Sequence, residues 1–316
     1  MARFIARRLI GMVAVLFAIS VITFAIFNVI PNGDPAVRLA GHSAATPSVL
    51  ASIRREWGFD KPVYVQYAKT MGKIFTGSLI SYTNQTNVVD TIRHGIGRTF
   101  SLAIGAALMW FTFALGLGLF TALRAGKFAD RSLTVLALVG ISMPVFWIGA
   151  LMSYYLGFKG HIFPNGGYVP LTQNPIQWGY HLIMPWFALS ILFIGVYSRL
   201  LRSSILDTMN EDFVRTARAK GLSERRVLIR HVLRNSLIPV ISLWGLDFAA
   251  IIGGGAIVTE YVFSIGGVGE YAYDSIGSLD VPPVMALTLF IAFFVVFFNT
   301  IVDIVYAWLD PRIRIG

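Results

Sequence analysis

The chain has no cysteine and few charged residues, and both shortages restrict what it can be. Without cysteine it can form no disulfide scaffold, no thiolate nucleophile and no cysteine metal site. Charged residues make up only 13% of the 316 positions, which is about half their share in a soluble domain. Because 56% of the residues are hydrophobic, a disordered chain is also excluded. The composition predicts a polytopic membrane protein, in which the net charge of +10 reflects membrane topology rather than nucleic-acid binding.

Two motifs of enzyme chemistry are also missing. No G-x-x-x-x-G-K-[ST] segment is present, so the chain cannot cradle nucleotide phosphates by that mechanism, and any ATP must be hydrolysed by another subunit. No H-E-x-x-H occurs, and the histidines are scattered along the sequence at His42, His94, His161, His181 and His231. These absences predict a protein that is not itself an enzyme and that holds no cofactor or metal.

Six long apolar runs are present, and each is long enough to cross a bilayer as a helix. They cover residues 9–30, 100–123, 132–157, 182–201, 237–259 and 284–309. The runs are continuous rather than alternating, which favours helices over a β-barrel. The first run follows a basic N-terminus, as in a signal peptide, but it is too long for one and no A-x-A site precedes Pro31, so we expect it to be retained. The predicted fold is an all-α membrane protein with six transmembrane helices.

The positions of the basic residues indicate the orientation of these helices. Nine bases lie within residues 199–234, and smaller groups lie at both termini and after the second span. By contrast, Lys159 is the only base in the second outer loop, and residues 260–283 contain none. Segment 31–98 holds more bases, but loops longer than about 60 residues escape the positive-inside rule. Both termini are therefore predicted to be cytoplasmic.

The sequence divides into three parts with different organisation. They are a cytoplasmic N-terminus with the first transmembrane helix (1–30), an extracytoplasmic helical segment (31–98) and a core of five helices (99–316). In the second part, Thr46 can cap a helix that ends at Gly58, since glycine tolerates the left-handed turn that closes a helix. A second helix is predicted from residue 63 to 75, with its stop at Gly77.

The last outer loop carries acids and no bases: Glu260, Glu270, Asp274 and Asp280. Two interpretations are open. The loop could be an ordinary solvated connection, or its acids could form a negative collar at an outer gate or docking surface, where they would raise the local concentration of cations.

Asp247 and Asp303 lie inside apolar runs, where a charge costs at least about 2.5–3.5 kcal/mol at the bilayer centre. Asp303 is close to the end of its span, where Arg312 or Arg314 could pair with it. Asp247 lies in the middle of its span, shortly before the small-residue run Gly253-Gly254-Gly255-Ala256, which would let helices approach closely. We therefore predict that Asp247 lines a substrate path.

The loop at about 202–236 is too long for a simple connection between spans, and it is patterned. A helical run ends at Gly221, and Ser223 can cap a second helix. On that helix three arginines recur at a spacing of four residues: Arg226, Arg230 and Arg234. Such a helix could lie on anionic lipid, with its arginines reaching the phosphates. Two short helices that join at a glycine and lead into a span favour instead insertion into a groove on a cytoplasmic partner.

One segment of this loop resembles the EAA loop of ABC importer permeases, in the form of the dipeptide, oligopeptide and nickel branch: Asp212-Phe-Val-Arg-Thr-Ala-Arg-Ala-Lys-Gly221-Leu-Ser-Glu-Arg-Arg-Val. Further matching segments follow one another along nearly the whole chain: Gly33-Asp34-Pro35, Pro62-Val-Tyr-Val-Gln66-Tyr67, Ser142-Met-Pro144-Val-Phe-Trp147, Glu260-Tyr-Val-Phe263, Gly266-Gly267-Val-Gly269, Asp280-Val-Pro282 and Asn299…Asp303…Tyr306…Asp310-Pro-Arg312. The chain departs from the general EAA pattern where Arg215 and Thr216 replace its Glu and first Ala.

This resemblance implies a type I ABC importer permease in a prokaryotic plasma (inner) membrane. Such a permease works with a second, similar permease, two cytoplasmic ATPases that bind ATP and Mg, and an extracytoplasmic solute-binding protein. It would be surrounded by membrane lipid and would bind no nucleic acid. The residues expected to couple the chain to the ATPases are Glu211, Asp212, Arg215, Ala217, Gly221 and Ser223. Candidates for the substrate path or outer gate are Asp247, Glu260 and Asp280.

The substrate and the class of transporter leave alternatives. The branch resemblance favours di- or oligopeptides, with nickel or glutathione as the alternatives. A proton-coupled secondary transporter could use Asp247 and Asp303, but that class often shows inverted repeats and broken helices, and the sequence suggests neither. A membrane-embedded hydrolase lacks a credible set of nucleophile, base and acid.

Overall fold

The computed structural model describes residues 2–29, 35–40 and 46–309, which are helices and connecting segments apart from one antiparallel bridge between Ile80 and Asn87. In chain order the helices are α1 (Ala2–Phe24), α2 (Pro35–Ala40), α3 (Pro47–Trp57), α4 (Val63–Thr76), α5 (Val88–Leu123), α6 (Phe128–Ser142), α7 (Val145–Met152), α8 (Pro175–Thr208), α9 (Asp212–Ala219), α10 (Glu224–Val227), α11 (Arg234–Ala250), α12 (Ile257–Val262), α13 (Val268–Gly277) and α14 (Val281–Leu309). Short π-helical segments extend α1, α7, α10 and α11: Ala25–Val29, Ser153–Lys159, Leu228–Leu233 and Ile251–Gly255.

The apolar helices confirm the predicted all-α membrane protein. Five continuous runs are long and apolar enough to cross a membrane: Ala6–Val29, Val88–Leu123, Pro175–Thr208, Glu224–Gly255 and Val281–Val302. A sixth candidate is the pair α6 and α7 with its π-helical extension, which meets the same test only when both parts are taken together. Each of the six predicted spans overlaps one of these elements. The cytoplasmic orientation of the termini stays a prediction.

The third predicted span, 132–157, is wrong as a single helix. α6 and the helix that begins with α7 meet at 96°, and Met143 between them has an extended backbone (φ −88°, ψ 129°). Pro144 explains the break, because proline has no N–H to donate and disfavours a helical conformation in the residue before it. Hydropathy does not detect such a break, since the apolar character of the run continues on both sides.

The fifth predicted span, 237–259, is also interrupted. Gly253 (φ −76°, ψ 22°) and Gly254 (φ 114°, ψ −9°) are not helical, and α12 begins only at Ile257. The small-residue run therefore contains a kink that needs glycine, because a side chain at the φ of Gly254 would be strained. The expectation that the chain has no broken helices is thus wrong at both Pro144 and Gly254.

The described residues form two compact units, and the first belongs to Met1–Thr99 with Gly266–Thr300. Its core contains Phe24, Met71, Val281 and Met285. The helices α3 and α4 agree with the two predicted for segment 31–98, and both end at a left-handed glycine, with φ 75° at Gly58 and φ 73° at Gly77. Thr46 has the N-cap position of α3, but its side chain makes no capping hydrogen bond.

The second unit belongs to Phe100–Ile265 with Ile301–Gly316, and small residues allow its helices to pack closely. Trp186 of α8 donates from Nε1 to the carbonyl of Ser101 on α5 at 3.0 Å. A Cβ at Gly105 would overlap the indole of Trp186. On the other side of α8, a Cβ at Gly195 would lie 2.8 Å from the carbonyl oxygen of Ala137 on α6. The candidate site begins at the end of α8, one of these closely packed helices.

Candidate functional site

The segment between α8 and α10, residues 209–223, forms a bent connection that we call the elbow. α9 follows α8 after a short turn, and Gly221 (φ 75°) closes it in the left-handed conformation that the sequence predicted. The N–H of Gly221 donates to the carbonyl of Arg218 at 2.9 Å. A Cβ at Gly221 would meet nothing within 4 Å, so only the backbone conformation requires glycine there.

An ion pair that the sequence analysis did not identify spans the glycine turn. Arg218 of α9 donates to Glu224 of α10 through Nε (3.0 Å to Oε1) and through a terminal nitrogen (3.2 Å to Oε2). A two-pronged guanidinium–carboxylate pair fixes the relative direction of its two groups as well as their distance. The pair therefore helps to hold α9 and α10 at their angle. The sequence indicated this ion pair only by two opposite charges, six residues apart, on either side of the glycine that ends α9.

The elbow is attached to the helices on both of its sides. Val214 on α9 and Val227 on α10 are almost completely buried. Beyond the elbow, Ser236 of α11 donates to the carbonyl of Ser204 on α8 at 3.1 Å, and the Ser204 hydroxyl donates to the carbonyl of Ser236 at 3.1 Å. The start of α11 is thus tied to the end of α8, the helix that leads into the elbow.

The six predicted coupling residues all lie in the elbow, but they do not share one environment. Five are exposed at the surface of this chain: Glu211, Asp212, Arg215, Gly221 and Ser223. Asp212 and Arg215 form an exposed ion pair at 3.4 Å. Ala217 is instead buried, with 5% exposure, so its side chain packs within the chain. The capping role predicted for Ser223 is wrong, because it precedes α10 without a side-chain capping bond.

Phe213 is an exposed feature of α9 that the sequence analysis did not select. Its side chain is 41% exposed and stands between Asp212, which is also exposed, and Val214, which is buried. Large aromatic side chains on a surface are frequent anchors of protein interfaces. The hydrophobic pattern of the loop did not distinguish Phe213 from a core residue.

The predicted arginine stripe is confirmed, and it borders an open groove. Arg226, Arg230 and Arg234 are exposed. They line a groove of about 760 Å³ together with Ser223, Arg225, Ile229, Leu233 and Leu237. The opposite side of the same helical run is buried at Val227 and Val232. The run is therefore amphipathic, with a basic and partly apolar outer face.

A buried ion pair connects the α5–α6 turn to α8. Asp130 is 3% exposed and accepts from Arg202 at Nε and at a terminal nitrogen, each at 2.7 Å. The N–H of Gly126 donates to the same carboxylate at 2.9 Å. This pair fixes the turn against α8 a short distance before the elbow. Its partners are 72 residues apart in sequence, so no local pattern indicated it.

Asp247 lies on α11, and its side chain is half-buried. The hydroxyl of Tyr197, itself fully buried, donates to Asp247 Oδ2 at 2.6 Å. One turn before Asp247, Trp244 stacks on Phe248 with 5.5 Å between ring centres and an interplanar angle of 5°. The arrangement is a carboxylate that is hydrogen-bonded to a buried phenol, on the helix that also carries the stacked Trp244–Phe248 pair. Whether it lines a path stays a prediction, and the side chain of Asp303 is outside the described residues.

The interpretation of the last outer loop as an acidic collar is wrong for two of its four acids. Glu260 of α12 is 0% exposed and Asp280 is 3% exposed, and they belong to different units. Asp280 accepts hydrogen bonds from the hydroxyl of Ser81 and from the N–H groups of Tyr82 (2.9 Å) and Thr83 (3.3 Å). Its carboxylate thus fixes a turn of the first unit.

Tyr271 of α13 lies near Asp280 in the same unit. Burial, together with the negative charge of Asp280, raises the pKa of the Tyr271 phenol to about 12. The group is therefore held in its neutral form.

Comparison with known families assigns the chain to a class. Residues 114–315 match the model of the binding-protein-dependent transport system inner membrane component, and residues 1–103 match the model of the N-terminal part of such components. The chain belongs to this family, and it is a multi-pass inner membrane component of a transport system. The resemblance drawn from the EAA-like segment is confirmed.

Individual relatives match along the whole chain. A probable peptide ABC transporter permease of Sinorhizobium fredii is 33% identical over 99% of this chain and 100% of its own length. A di/tripeptide transport system permease of Pseudomonas aeruginosa is 35% identical over 99% of both chains. A probable D,D-dipeptide transport system permease of Escherichia coli is 34% identical over 98% of this chain and 97% of its own. The relatives are permeases rather than enzymes, and they do not favour a secondary transporter.

Proposed function

We propose that this chain is a permease subunit of an ATP-driven peptide importer and that its elbow is the surface bound by cytoplasmic ATPases. It would form the translocation path with a second, homologous permease, and receive its substrate from an extracytoplasmic solute-binding protein. ATP and Mg would bind to the two ATPases. In this proposal both termini and the elbow are cytoplasmic, as the distribution of basic residues predicts.

The names of the relatives support peptides as the substrate. They describe transport of peptides, di/tripeptides and D,D-dipeptides by proteins that match this chain almost from end to end. Nickel and glutathione, the alternatives in the same branch, have no comparable support among these relatives. A binding measurement on the partner solute-binding protein would identify the ligand.

The geometry of the elbow is the observation that carries the coupling proposal. Its outer surface presents Asp212, Phe213 and Arg215, which have the charge and aromatic character of an interface. On its other side Val214 and Ala217 are buried, and the helix that leads into the elbow, α8, is hydrogen-bonded to α11 through Ser204 and Ser236. A partner that held the outer surface and moved would therefore move two membrane helices, rather than bend a loose loop.

Reconstitution tests the proposal directly. The chain would be assembled in proteoliposomes alone, with the second permease, and with the second permease plus both ATPases, and uptake of a labelled dipeptide would be measured with the solute-binding protein present. We expect uptake only in the full assembly and only with MgATP. Uptake by the chain alone, driven by a proton gradient, would contradict the proposal. It would show instead that the chain is a secondary transporter.

A further inference from the structure

The carboxylate of Asp247 lies at a depth where contact with lipid would be strongly unfavourable for a charge. It lies in the middle of the apolar run 237–259, inside a helix long enough to cross the membrane. Its side chain is half-buried, and Tyr197 supplies one hydrogen bond at 2.6 Å. In residues 2–29, 35–40 and 46–309, the structure forms no ion pair between Asp247 and a lysine or arginine. A charge at this depth faces protein or water rather than lipid, and an aqueous path or a cation would satisfy the exposed side of the Asp247 carboxylate.

The surroundings of Asp247 are suited to a cation. Trp244 is its neighbour one turn earlier on α11, and the Trp244 ring meets Phe111 edge-on at 5.7 Å and stacks on Phe248. Aromatic faces attract ammonium groups, and they do so more strongly when the site excludes water. The carboxylate of Asp247 itself attracts a cationic group and repels a carboxylate or phosphate.

We propose that Asp247, hydrogen-bonded to Tyr197 and about one helical turn from Trp244, binds the terminal ammonium group of a peptide within the membrane. The proposal rests on the peptide importer function given above. A free amino terminus has a pKa of about 8 and is mostly charged at neutral pH. It is shared by peptides of every sequence, so a site that recognises it would be compatible with many side chains.

The same placement divides the surface of α11 into two faces. Leu243 lies close to Asp247 around the helix and is 41% exposed. Ile241 is 38% exposed but points about 160° away from Leu243. The Leu243 face should therefore line the aqueous path, and the Ile241 face should not. The two positions are a matched pair, two residues apart on one helix and equally exposed in this chain.

The absence of cysteine makes the first test direct. Leu243→Cys and Ile241→Cys would each be introduced into the full assembly in proteoliposomes and treated with a membrane-impermeant thiol reagent without ATP. We expect labelling of Leu243→Cys and not of Ile241→Cys. Dialanine at millimolar concentration should protect Leu243→Cys at least threefold, and N-acetyl-dialanine should not. Equal labelling of both variants, no labelling of Leu243→Cys, or equal protection by both peptides would overturn the proposal.

Substitution of Asp247 supplies the second test. Asp247→Asn should reduce dipeptide uptake at least tenfold, while ATP hydrolysis stimulated by the loaded binding protein and assembly with the ATPases are retained. Asp247→Glu should recover part of the uptake. Wild-type uptake by Asp247→Asn would refute the ammonium site and leave the importer function standing, whereas failure of the wild-type assembly to import peptide would refute the importer function itself. If Asp247→Asn does not assemble with the second permease, the partner of Asp247 is a base of that subunit and the proposal is wrong.

Discussion

Replacement of Gly221 by valine perturbs the elbow through its backbone alone. At φ 75° the backbone of an L-residue is less stable than that of glycine by roughly 1–2 kcal/mol. The added side chain would not clash, because a Cβ at this position meets nothing within 4 Å. A free energy of this size changes the ratio of two conformations by about 5- to 30-fold. The elbow can relieve the strain only by turning Gly221 out of the left-handed region, which redirects α10 relative to α9 and pulls Arg218 away from Glu224. We therefore expect peptide uptake per ATP hydrolysed to fall by about this factor.

Gly126 provides the matched control. It also has a left-handed backbone (φ 79°), a Cβ there would also meet nothing within 4 Å, and it lies in the α5–α6 turn outside the elbow. Gly126→Val should cost the same free energy of folding as Gly221→Val and leave the coupling unchanged. The assay is parallel measurement of dipeptide uptake and phosphate release by the reconstituted assembly. Normal uptake per ATP in Gly221→Val, or equal uncoupling in Gly126→Val, would refute the reasoning.

Four further contacts give expected outcomes. Arg218→Glu should lower uptake per ATP, and the double variant Arg218→Glu/Glu224→Arg should restore at least half of it, as uptake assays would show. Asp130→Asn leaves Arg202 without its carboxylate and should cost about 3 kcal/mol of stability, measured by chemical denaturation in detergent. Asp280→Ala removes the acceptor of two N–H groups and a hydroxyl and should cost about 2 kcal/mol or more. Because the pKa of Tyr271 is raised to about 12, stability present below pH 10 should be lost as the pH rises through 12, and Tyr271→Phe should remove this loss.

Each of these outcomes has its own control. If the double charge reversal stays as inactive as the single one, the Arg218–Glu224 pair does not set the angle of the elbow. Asp274, which is exposed on α13, is the control for Asp280, and Asp274→Ala should leave the melting temperature unchanged. A melting temperature of Asp130→Asn equal to that of the wild type would contradict a structural role for that pair. The same alkaline destabilisation in wild type and Tyr271→Phe would contradict the shift at Tyr271.

Features with a local physical cause were predictable from sequence. Gly58, Gly77 and Gly221 each follow an amphipathic or apolar helix, and glycine is the residue that ends a helix in the left-handed conformation without strain. Their predicted positions are confirmed. The apolar runs likewise predicted the membrane helices, because their length and composition alone decide whether a helix can cross the bilayer.

Features that depend on distant partners or on the direction of a helix were not predictable. Asp130 finds Arg202, and Asp247 finds Tyr197, only after the helices have packed. The acids of the last outer loop resembled a charged surface, yet Asp280 is buried as the acceptor of a turn. Pro144 was a local signal for a break, but hydropathy averages over it and a single apolar run was inferred.

The central claim is that a cytoplasmic ATPase binds this permease at its elbow. The chain has no cysteine, so Phe213→Cys in the elbow and Phe128→Cys at the start of α6, which is also exposed, can each carry a cysteine-reactive photocrosslinker. In the full assembly with MgATP, we predict a covalent adduct between the Phe213→Cys chain and an ATPase subunit, and none from Phe128→Cys. An ATPase adduct that forms from Phe128→Cys and not from Phe213→Cys would contradict the account.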